Sequence, residues 1–347
     1  MRAALIGLGR IGWDFHLPEL QRHRTFSLCA VADVNTNRLQ EAKEKFGIQG
    51  YLDYREMLEK ESPELVVIAS PTIFHEEQAI ESMRAGADVL LDKPMAIGYA
   101  AALRIAAVQR ETGKKLVVYQ PHRFSPETSL ARRIIASGKL GEIYAMKCAR
   151  CNFVRRNDWQ AFREYEGGML NNYGAHHIDQ LLYLAGEKID SVYCRTKKIA
   201  SLGDADDVVK VVMQTETGKI LDIDINQATA IPINPLMIFG SRGTASLEMV
   251  EEGEVLRIRY FEEADLEDTA VSKELAAANR TYPADRIPWK EELIPVTESD
   301  AVDFYAACES FFAADGESPV PLQETVYLME LIDRCHRVDR GDHRDFP

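Results

Sequence analysis

A glycine-rich hexapeptide near the start of the chain, GLGRIG at residues 7–12, restricts the possible folds more than any other feature of the sequence. It directly follows the apolar run RAALI, which is typical of a buried strand, and it precedes a helical stretch that extends through Leu20. In this order of elements Gly7 permits a tight turn, Gly9 lets a ligand approach the backbone, and Gly12 allows close helix–strand packing. The segment therefore predicts a βαβ unit that binds the pyrophosphate of a dinucleotide at a helix N-terminus.

An acidic residue ends the second apolar run, FSLCAVADV, at the position where such a unit binds ribose. Asp33 lies about 20 residues beyond the glycine loop, and an acid there accepts hydrogen bonds from the ribose hydroxyls and repels a 2′-phosphate. We therefore expect NAD as the cofactor and consider NADP less favoured, although Arg38 is close enough in the sequence to reach a phosphate. The alternative role for Asp33 is to form a turn after the strand.

The remaining pattern of apolar runs predicts two domains of different architecture. Within residues 1–120, five runs alternate with helical segments: RAALIGLG, FSLCAVADV, ELVVIAS, DVLLDKP and KLVVYQ. This alternation predicts an α/β domain with a doubly wound parallel sheet that binds the cofactor. Residues 121–347 begin with one helix and continue mainly as consecutive strands, interrupted by a helix near Asn172 and closed by two amphipathic helices. They predict an α+β domain with a large, open, mostly antiparallel sheet that binds the substrate.

Composition excludes several classes of partner. The formal net charge of −14 argues against a nucleic-acid surface or an anionic-membrane surface, because both need basic patches. We see no apolar run of about 18 residues, so we expect neither an anchor nor a signal peptide. The six cysteines are scattered, which indicates reduced thiols and a cytoplasmic protein. The CARC segment at 148–151 alternates like a strand, so we interpret this pair as structural.

Two segments contain candidate catalytic residues. Lys93, in the motif DKP, follows the fourth apolar run, and ligands of such sheets bind beyond the carboxyl ends of the strands. In EGGMLNNYGAHHID, residues 166–179, Asn172 and His176 are four apart and share a helix face, so both can reach one substrate. Asp179 could orient the His176 ring, whereas His177 points elsewhere and is expected to be structural. Because these side chains diverge, we expect no metal site.

Five segments together resemble the glucose–fructose oxidoreductase / inositol dehydrogenase family, Gfo/Idh/MocA, over nearly the whole chain: the glycine loop, SPTIFH, DKP, HRFSP and GGMLNNYGAHHID. The resemblance implies a Rossmann domain, a C-terminal domain with a large open sheet, and NAD(P)-dependent chemistry on sugars or cyclitols. It also implies a homodimer or homotetramer joined through that sheet. The reactive lysine of the family falls on Lys93, with Asp92 in place of a glutamate. The family pattern G-G-x-L-x-D-x-G-x-H-x-x-D matches this chain except that Asn172 occupies the position of the inner aspartate.

The motifs and the resemblance together define the candidate site. We expect the cofactor to contact Gly7, Gly9, Arg10, Ile11, Gly12, Asp33, Ser70, Pro71, Thr72, His75, Asp92, Lys93 and Pro94. We expect the substrate to contact Lys93, Arg123, Tyr165, Asn172 and His176, although an ion pair is an equally good interpretation of Arg123. An acidic sugar would favour a role for Arg155 or Arg156, but exposed loop arginines are usually solvated.

The expected activity is hydride transfer between nicotinamide and a secondary hydroxyl or carbonyl group. His176 is the candidate base for the hydroxyl proton, Lys93 would stabilise the developing alkoxide, and Asn172 would orient the substrate. An alternative is a glycosidase or lyase that uses NAD in a redox cycle without net oxidation. A less favoured alternative is a non-catalytic dinucleotide-binding regulator.

Overall fold

The N-terminal part of the chain forms a six-stranded parallel sheet in a computed structural model that describes residues 1–268, 271, 273, 286–314 and 316–341. The strands are β1 (Arg2–Ile6), β2 (Ser27–Ala32), β3 (Gln49–Tyr51), β4 (Leu65–Ile68), β5 (Asp88–Leu91) and β6 (Leu116–Val118). The helices between them are α1 (Leu17–Arg22), α2 (Thr36–Phe46), α3 (Tyr54–Glu61), α4 (His75–Arg84) and α5 (Gly98–Thr112). This N-terminal sheet has the order β3-β2-β1-β4-β5-β6, which confirms the predicted doubly wound α/β fold.

The order of the strands reverses beside β1, which pairs with β2 on one side and with β4 on the other. In such sheets ligands bind at this switch point, outside the carboxyl ends of the strands. The glycine loop follows β1, Ser70 follows β4, and Lys93 follows β5. The fold therefore brings the three predicted cofactor segments to one edge of the sheet.

One strand and one helix of this N-terminal part, β3 and α3, were not predicted from the sequence. Strand β3 has three residues, QGY, and lies at the edge of the sheet, where it pairs only with β2. Its glycine and its shortness leave no period-2 pattern to recognise. Helix α3 begins after Asp53, whose side chain accepts a hydrogen bond from the Arg55 backbone N–H. Neither element changes the edge of the sheet at which the predicted site lies.

The C-terminal part contains an eight-stranded sheet, described below as the C-terminal sheet. Its strands are β7 (Ile143–Cys151), β8 (Ile189–Lys197), β9 (Val208–Thr215), β10 (Ile220–Asn226), β11 (Leu236–Gly240), β12 (Gly243–Val250), β13 (Gly253–Tyr260) and β14 (Lys290–Pro295). Their order is β14-β13-β12-β11-β7-β10-β9-β8, and all neighbours are antiparallel except β7 and β10. The expectation of a large, mostly antiparallel sheet is therefore confirmed.

Four further helices complete the described structure: α6 (Pro126–Ser137), α7 (Ala175–Ala185), α8 (Phe304–Ala314) and α9 (Leu322–Asp339). Helix α7 packs against β7 and β10 of the C-terminal sheet. Helix α8 instead packs on the N-terminal sheet, where Phe304 and Cys308 share a hydrophobic cluster with Leu5 and Val117. The division at residue 120 therefore stays a prediction, because late segments of the chain return to the first sheet. Among the described residues, no helix is long and apolar enough to cross a membrane.

Candidate active site

The three glycines of the loop at 7–12 differ in what surrounds them. Gly7 has a φ of +93°, and a Cβ atom there would lie 2.8 Å from the backbone of Ala69. A Cβ on Gly12 would lie 1.9 Å from the Gly7 carbonyl oxygen. A Cβ on Gly9 would meet no atom within 4 Å. The fold therefore requires Gly7 and Gly12, while Gly9 faces open space in which a pyrophosphate can approach the backbone.

The carboxylate of Asp33 links the second strand to this loop. It accepts hydrogen bonds from the backbone N–H groups of Leu8, at 2.7 Å, and Asn35, at 2.8 Å. Arg38 Nη1 lies 3.3 Å from the same carboxylate. Leu8 and Arg38, which both contact this carboxylate, line a cavity of about 240 Å³ together with Gly9, Arg10, Trp13, Asp14 and Glu41. This polar cavity beside the glycine loop fits the ribose of a dinucleotide, so the residues present suit the predicted cofactor.

His75 lies beneath the loops that follow β4 and β5. Its Nδ1 lies 2.9 Å from the Pro94 carbonyl oxygen, and its Nε2 lies 2.9 Å from the Ser70 carbonyl oxygen. Burial lowers the pKa of His75, which favours the neutral ring, and a neutral ring can donate to only one of these carbonyls. The ring thus lies between the two loops and donates a hydrogen bond to one of them, while its contact with the cofactor stays a prediction.

The other predicted cofactor residues lie along the same edge of the sheet. The Asp92 carboxylate accepts a hydrogen bond from the Lys93 backbone N–H at 2.8 Å, and the Lys93–Pro94 peptide bond is cis. The Ser70 hydroxyl donates to the Gln78 side chain at 2.6 Å. The other four predicted cofactor residues are partly or fully accessible, as contact with a ligand requires: Arg10, Ile11, Pro71 and Thr72.

Lys93 and Asn172 are in direct contact, although they lie 79 residues apart in the sequence. The Lys93 ammonium donates a hydrogen bond to the Asn172 side-chain oxygen at 2.8 Å. Burial lowers the pKa of Lys93 from 10.5 to about 8, while the Asp92 carboxylate opposes this shift and Arg156 and Arg10 add to it. An amide carries no charge that would hold the proton on the amine. Lys93 therefore titrates close to neutral pH.

A chain of hydrogen bonds continues from Asn172 into the loop at 152–168. The Asn172 amide donates to the Gln160 side-chain oxygen at 3.1 Å, and Arg156 donates to that same oxygen. Arg156 is in turn paired with Asp158 at 2.7 and 2.9 Å. The sequence analysis missed Gln160, because nothing distinguishes a loop glutamine until the fold brings it to Asn172.

His176 is buried next to a second histidine that the sequence analysis also missed. Its ring stacks on His122 with centroids 4.5 Å apart and an interplanar angle of 11°. Burial, followed by the nearby charge of Lys93, lowers the pKa of His176 well below its usual value. His176 is therefore neutral at physiological pH, which is the state that can accept a proton. Its Nδ1 has no hydrogen-bond partner among the residues described by the structure.

Asp179 does not orient His176, so that expectation is wrong. Its two carboxylate oxygens accept hydrogen bonds from Arg123 Nε at 2.8 Å and Nη2 at 2.6 Å. Arg123 also pairs with Glu324 and is only 5% exposed. The guanidinium thus joins the turn after β6 to α7 and α9. Of the two roles that the sequence left open for Arg123, the structure contains the ion pair, and the contact with substrate stays a prediction.

Tyr165 and His177 lie in contrasting environments. Tyr165 is 40% exposed, on the loop at 152–168, and has no polar side-chain contact within the described part of the chain. His177 is buried, and burial lowers its pKa to about 3, so it stays neutral as a structural residue would.

The candidate site thus combines three groups: the Lys93 amine, whose pKa is about 8, the Asn172 amide that accepts its hydrogen bond, and the neutral His176 imidazole. This combination can accept a proton and stabilise a developing oxyanion.

Comparisons with known proteins identify the family to which both parts of the chain are similar. Residues 1–120 match the model of an oxidoreductase family with an NAD-binding Rossmann fold, and residues 128–246 match the GFO/IDH/MocA C-terminal domain. The chain is 26% identical to a myo-inositol 2-dehydrogenase of Thermotoga maritima, over 74% of this chain and 78% of that one. It is 30% identical to a D-glucoside 3-dehydrogenase of Escherichia coli, over 54% of each chain. The crystal structure of an NAD-binding protein from Listeria innocua has the same fold, with a TM-score of 0.84, 20% identity, and 98% and 97% of the chains covered.

The Arg123 ion pair leads to a prediction about stability. Replacing Arg123 with Met leaves Asp179 buried without its cation, so we expect the free energy of unfolding to fall by about 3–5 kcal/mol. The double variant Arg123→Met/Asp179→Leu should be less destabilised, because it removes the uncompensated charge. Urea unfolding gives the free energy of unfolding of the single and the double variant. Arg132→Met is the matched control, since both arginines lie over the Tyr183 ring but Arg132 is exposed; a loss as large as that of Arg123→Met would contradict the argument.

Proposed function

The chain belongs to the GFO/IDH/MocA family of oxidoreductases, and on this basis we propose that it is an NAD-dependent dehydrogenase or reductase of a sugar, sugar derivative or cyclitol. The reacting group is a secondary hydroxyl or the corresponding carbonyl. The observation that carries the proposal is the placement of Lys93, Asn172 and neutral His176 beside the cofactor edge of the N-terminal sheet. The similarity to inositol and glucoside dehydrogenases supports the substrate class.

The glycine loop and Asp33 are the residues that would hold NAD. The loop backbone and the helical turn Gly12–His16, which leads into α1, would provide N–H groups for the pyrophosphate. Asp33 would accept hydrogen bonds from the adenine ribose. When bound, NAD supplies the acceptor for the hydride that leaves the substrate carbon. Asp33 disfavours a 2′-phosphate, and Arg38 already lies against the Asp33 carboxylate. We therefore propose NAD rather than NADP.

The proton chemistry follows from the charge states of Lys93 and His176. In the direction of oxidation, His176 accepts the hydroxyl proton, because burial keeps its ring neutral. The protonated amine of Lys93 donates a hydrogen bond to the same oxygen and stabilises negative charge as it develops. In reduction, protonated His176 returns the proton to the carbonyl oxygen, and the Lys93 ammonium donates a hydrogen bond to the same oxygen.

Asn172 acts in this proposal by positioning Lys93. Its side-chain oxygen holds the ammonium, and its amide group is fixed in turn by Gln160. This modifies the role expected from the sequence, in which Asn172 orients the substrate. The amide fixes the position of the ammonium without the charge of an aspartate, so the protonation of Lys93 depends on pH near neutrality.

We also propose that two or four copies associate through the outer face of the C-terminal sheet. Tyr193, Ile220 and Leu293 are partly exposed there, on the face opposite α7. The six cysteines are unpaired, which supports a cytoplasmic location. Light scattering should give the mass of a dimer or tetramer, and Ile220→Lys should weaken the association. A monomer at micromolar concentration would contradict this arrangement.

The activity is tested by following NADH absorbance while the protein is mixed with NAD and a panel of cyclitols, aldoses and glycosides. We expect steady NADH formation with NAD and slower NADPH formation with NADP. His176→Asn should reduce kcat by about 10²–10⁴-fold, because general base catalysis is lost. His177→Asn is the matched control and should retain activity. Loss of a glycoside without NADH formation would support the redox-cycling alternative instead.

The pKa of Lys93 leads to a prediction about pH dependence. Lys93 is protonated below about pH 8, so kcat/KM for oxidation should decline as the pH rises through that value. In Asn172→Asp a carboxylate replaces the amide beside the ammonium, and it should raise the pKa of Lys93 by about 1–3 units. The decline should then move to higher pH. A pH profile with the same alkaline limb in both proteins would show that Lys93 does not control it.

A further inference from the structure

Arg150 lies beside the proposed active site and has no role in the reaction proposed above. It belongs to β7 and shares a face with Cys148, whose Sγ contacts the Gln180 side chain on α7 at 3.3 Å. This is the face on which His176 lies. Arg150 has no ion-pair partner among the residues that the structure describes, and its guanidinium carbon lies 4.1 Å from the centre of the Tyr173 ring.

Stacking on Tyr173 prepares the guanidinium to bind an anion. The ring contacts the flat face of the group, and the N–H donors lie in the plane around its edge. A guanidinium held in this way can donate two parallel hydrogen bonds to a carboxylate. Because the stack limits the motion of the side chain, less conformational entropy is lost when such a pair forms.

Two buried acceptors on the same face indicate a polyhydroxylated ligand. Asn152 follows Arg150 by two residues, and Gln227 follows Ile225, the partner of Arg150 in β10. The side-chain oxygens of Asn152 and Gln227 are buried and have no hydrogen-bond partner within the described residues. Buried acceptors without partners are costly, and hydroxyl groups of a ligand would supply the missing donors.

The charge balance around the site favours an anion. Burial is the main cause of the lowered pKa values of His122, His176 and His177, and the charge of Arg150 adds to it. Glu127 opposes the pKa shift of His122, and Asp92 opposes that of Lys93, to which burial, Arg156 and Arg10 contribute. Asn172 adds no negative charge, and Arg156 is already paired with Asp158. Lys93 and Arg150 are thus two cations without an ion-pair partner among the described residues, in a chain whose formal net charge is −14. Local positive potential of this kind attracts anionic substrates.

We propose that the substrate is a sugar acid, a uronate or aldonate, whose carboxylate binds the Arg150 guanidinium while its hydroxyl groups bind Asn152 and Gln227. This proposal rests on the oxidoreductase function proposed above and names the substrate class of the same site. One unpaired guanidinium matches the single charge of a carboxylate, whereas a phosphate dianion would need further cations. Arg150 is thereby a specificity-determining residue distinct from Lys93 and His176.

The test measures binding of acids and of their neutral amides to the protein saturated with NADH, by NADH fluorescence. The pairs are D-glucuronate and D-glucuronamide, D-galacturonate and its amide, and D-gluconate and its amide. We expect at least one acid to bind about tenfold to a hundredfold more tightly than its amide, and high salt to reduce the difference. In Arg150→Met that preference should disappear, while affinities for the amide and for NADH stay unchanged.

The matched control is Arg259→Met. Arg259 stacks over Trp289 at 5.2 Å and lies on β13, three strands from β7, so its loss should leave the preference for the acid intact. The proposal is overturned if no acid binds more tightly than its amide, if the preference survives in Arg150→Met, or if Arg155→Met removes it instead. Tighter binding of glucose 6-phosphate than of every acid would overturn the assignment to a carboxylate.

The two proposals fail in different ways. Turnover of neutral sugars with no preference for acids would contradict the role of Arg150 and leave the oxidoreductase function standing. Acid binding that depends on Arg150, without NADH formation from any bound acid, would support the substrate class and contradict the proposed reaction.

Discussion

The hydrogen bond between the Lys93 ammonium and the Asn172 side chain joins the two halves of the molecule at the proposed site of reaction. Lys93 follows a strand of the N-terminal sheet, and Asn172 belongs to the turn that leads into α7 on the C-terminal sheet. Neither sheet alone can place an amine beside a buried imidazole. The chemistry of the site therefore depends on how the two sheets pack, because a shift of about 1 Å can cost two orders of magnitude in rate.

Several buried polar contacts keep this geometry fixed. Asp92 accepts a hydrogen bond from the Lys93 backbone, and the buried His75 ring packs between the carbonyl groups of Ser70 and Pro94. On the other side, the ion pair of Arg123 with Asp179 ties α7 to the turn after β6. Buried ion pairs of this kind contribute little net stability, but they leave an uncompensated charge when one partner is lost. The ion pair of Arg123 with Asp179 instead fixes the position of α7, the helix that contains His176.

The parts of the molecule that follow from local sequence could be predicted. The glycine loop and the alternation of apolar runs depend on neighbouring residues, so the N-terminal fold and its similarity to NAD-binding domains could be predicted from the sequence. His122 and Gln160 were missed because their roles arise only when distant segments meet. The expectation for Asp179 failed for a related reason. Spacing along a helix shows which residues share a face, but it does not show that Arg123 approaches from another segment.

The neutral side chain at position 172 connects the two proposals physically. An aspartate beside Lys93 would keep the amine protonated, and the amide found here does not. A substrate carboxylate held by Arg150 would bring a negative charge towards Lys93, and opposite charges attract. That charge would favour the protonated form of Lys93, which the stabilisation of an alkoxide requires. An acidic substrate would thus supply part of the electrostatic effect that the site loses with its aspartate, whereas a neutral sugar would leave Lys93 closer to its unprotonated form.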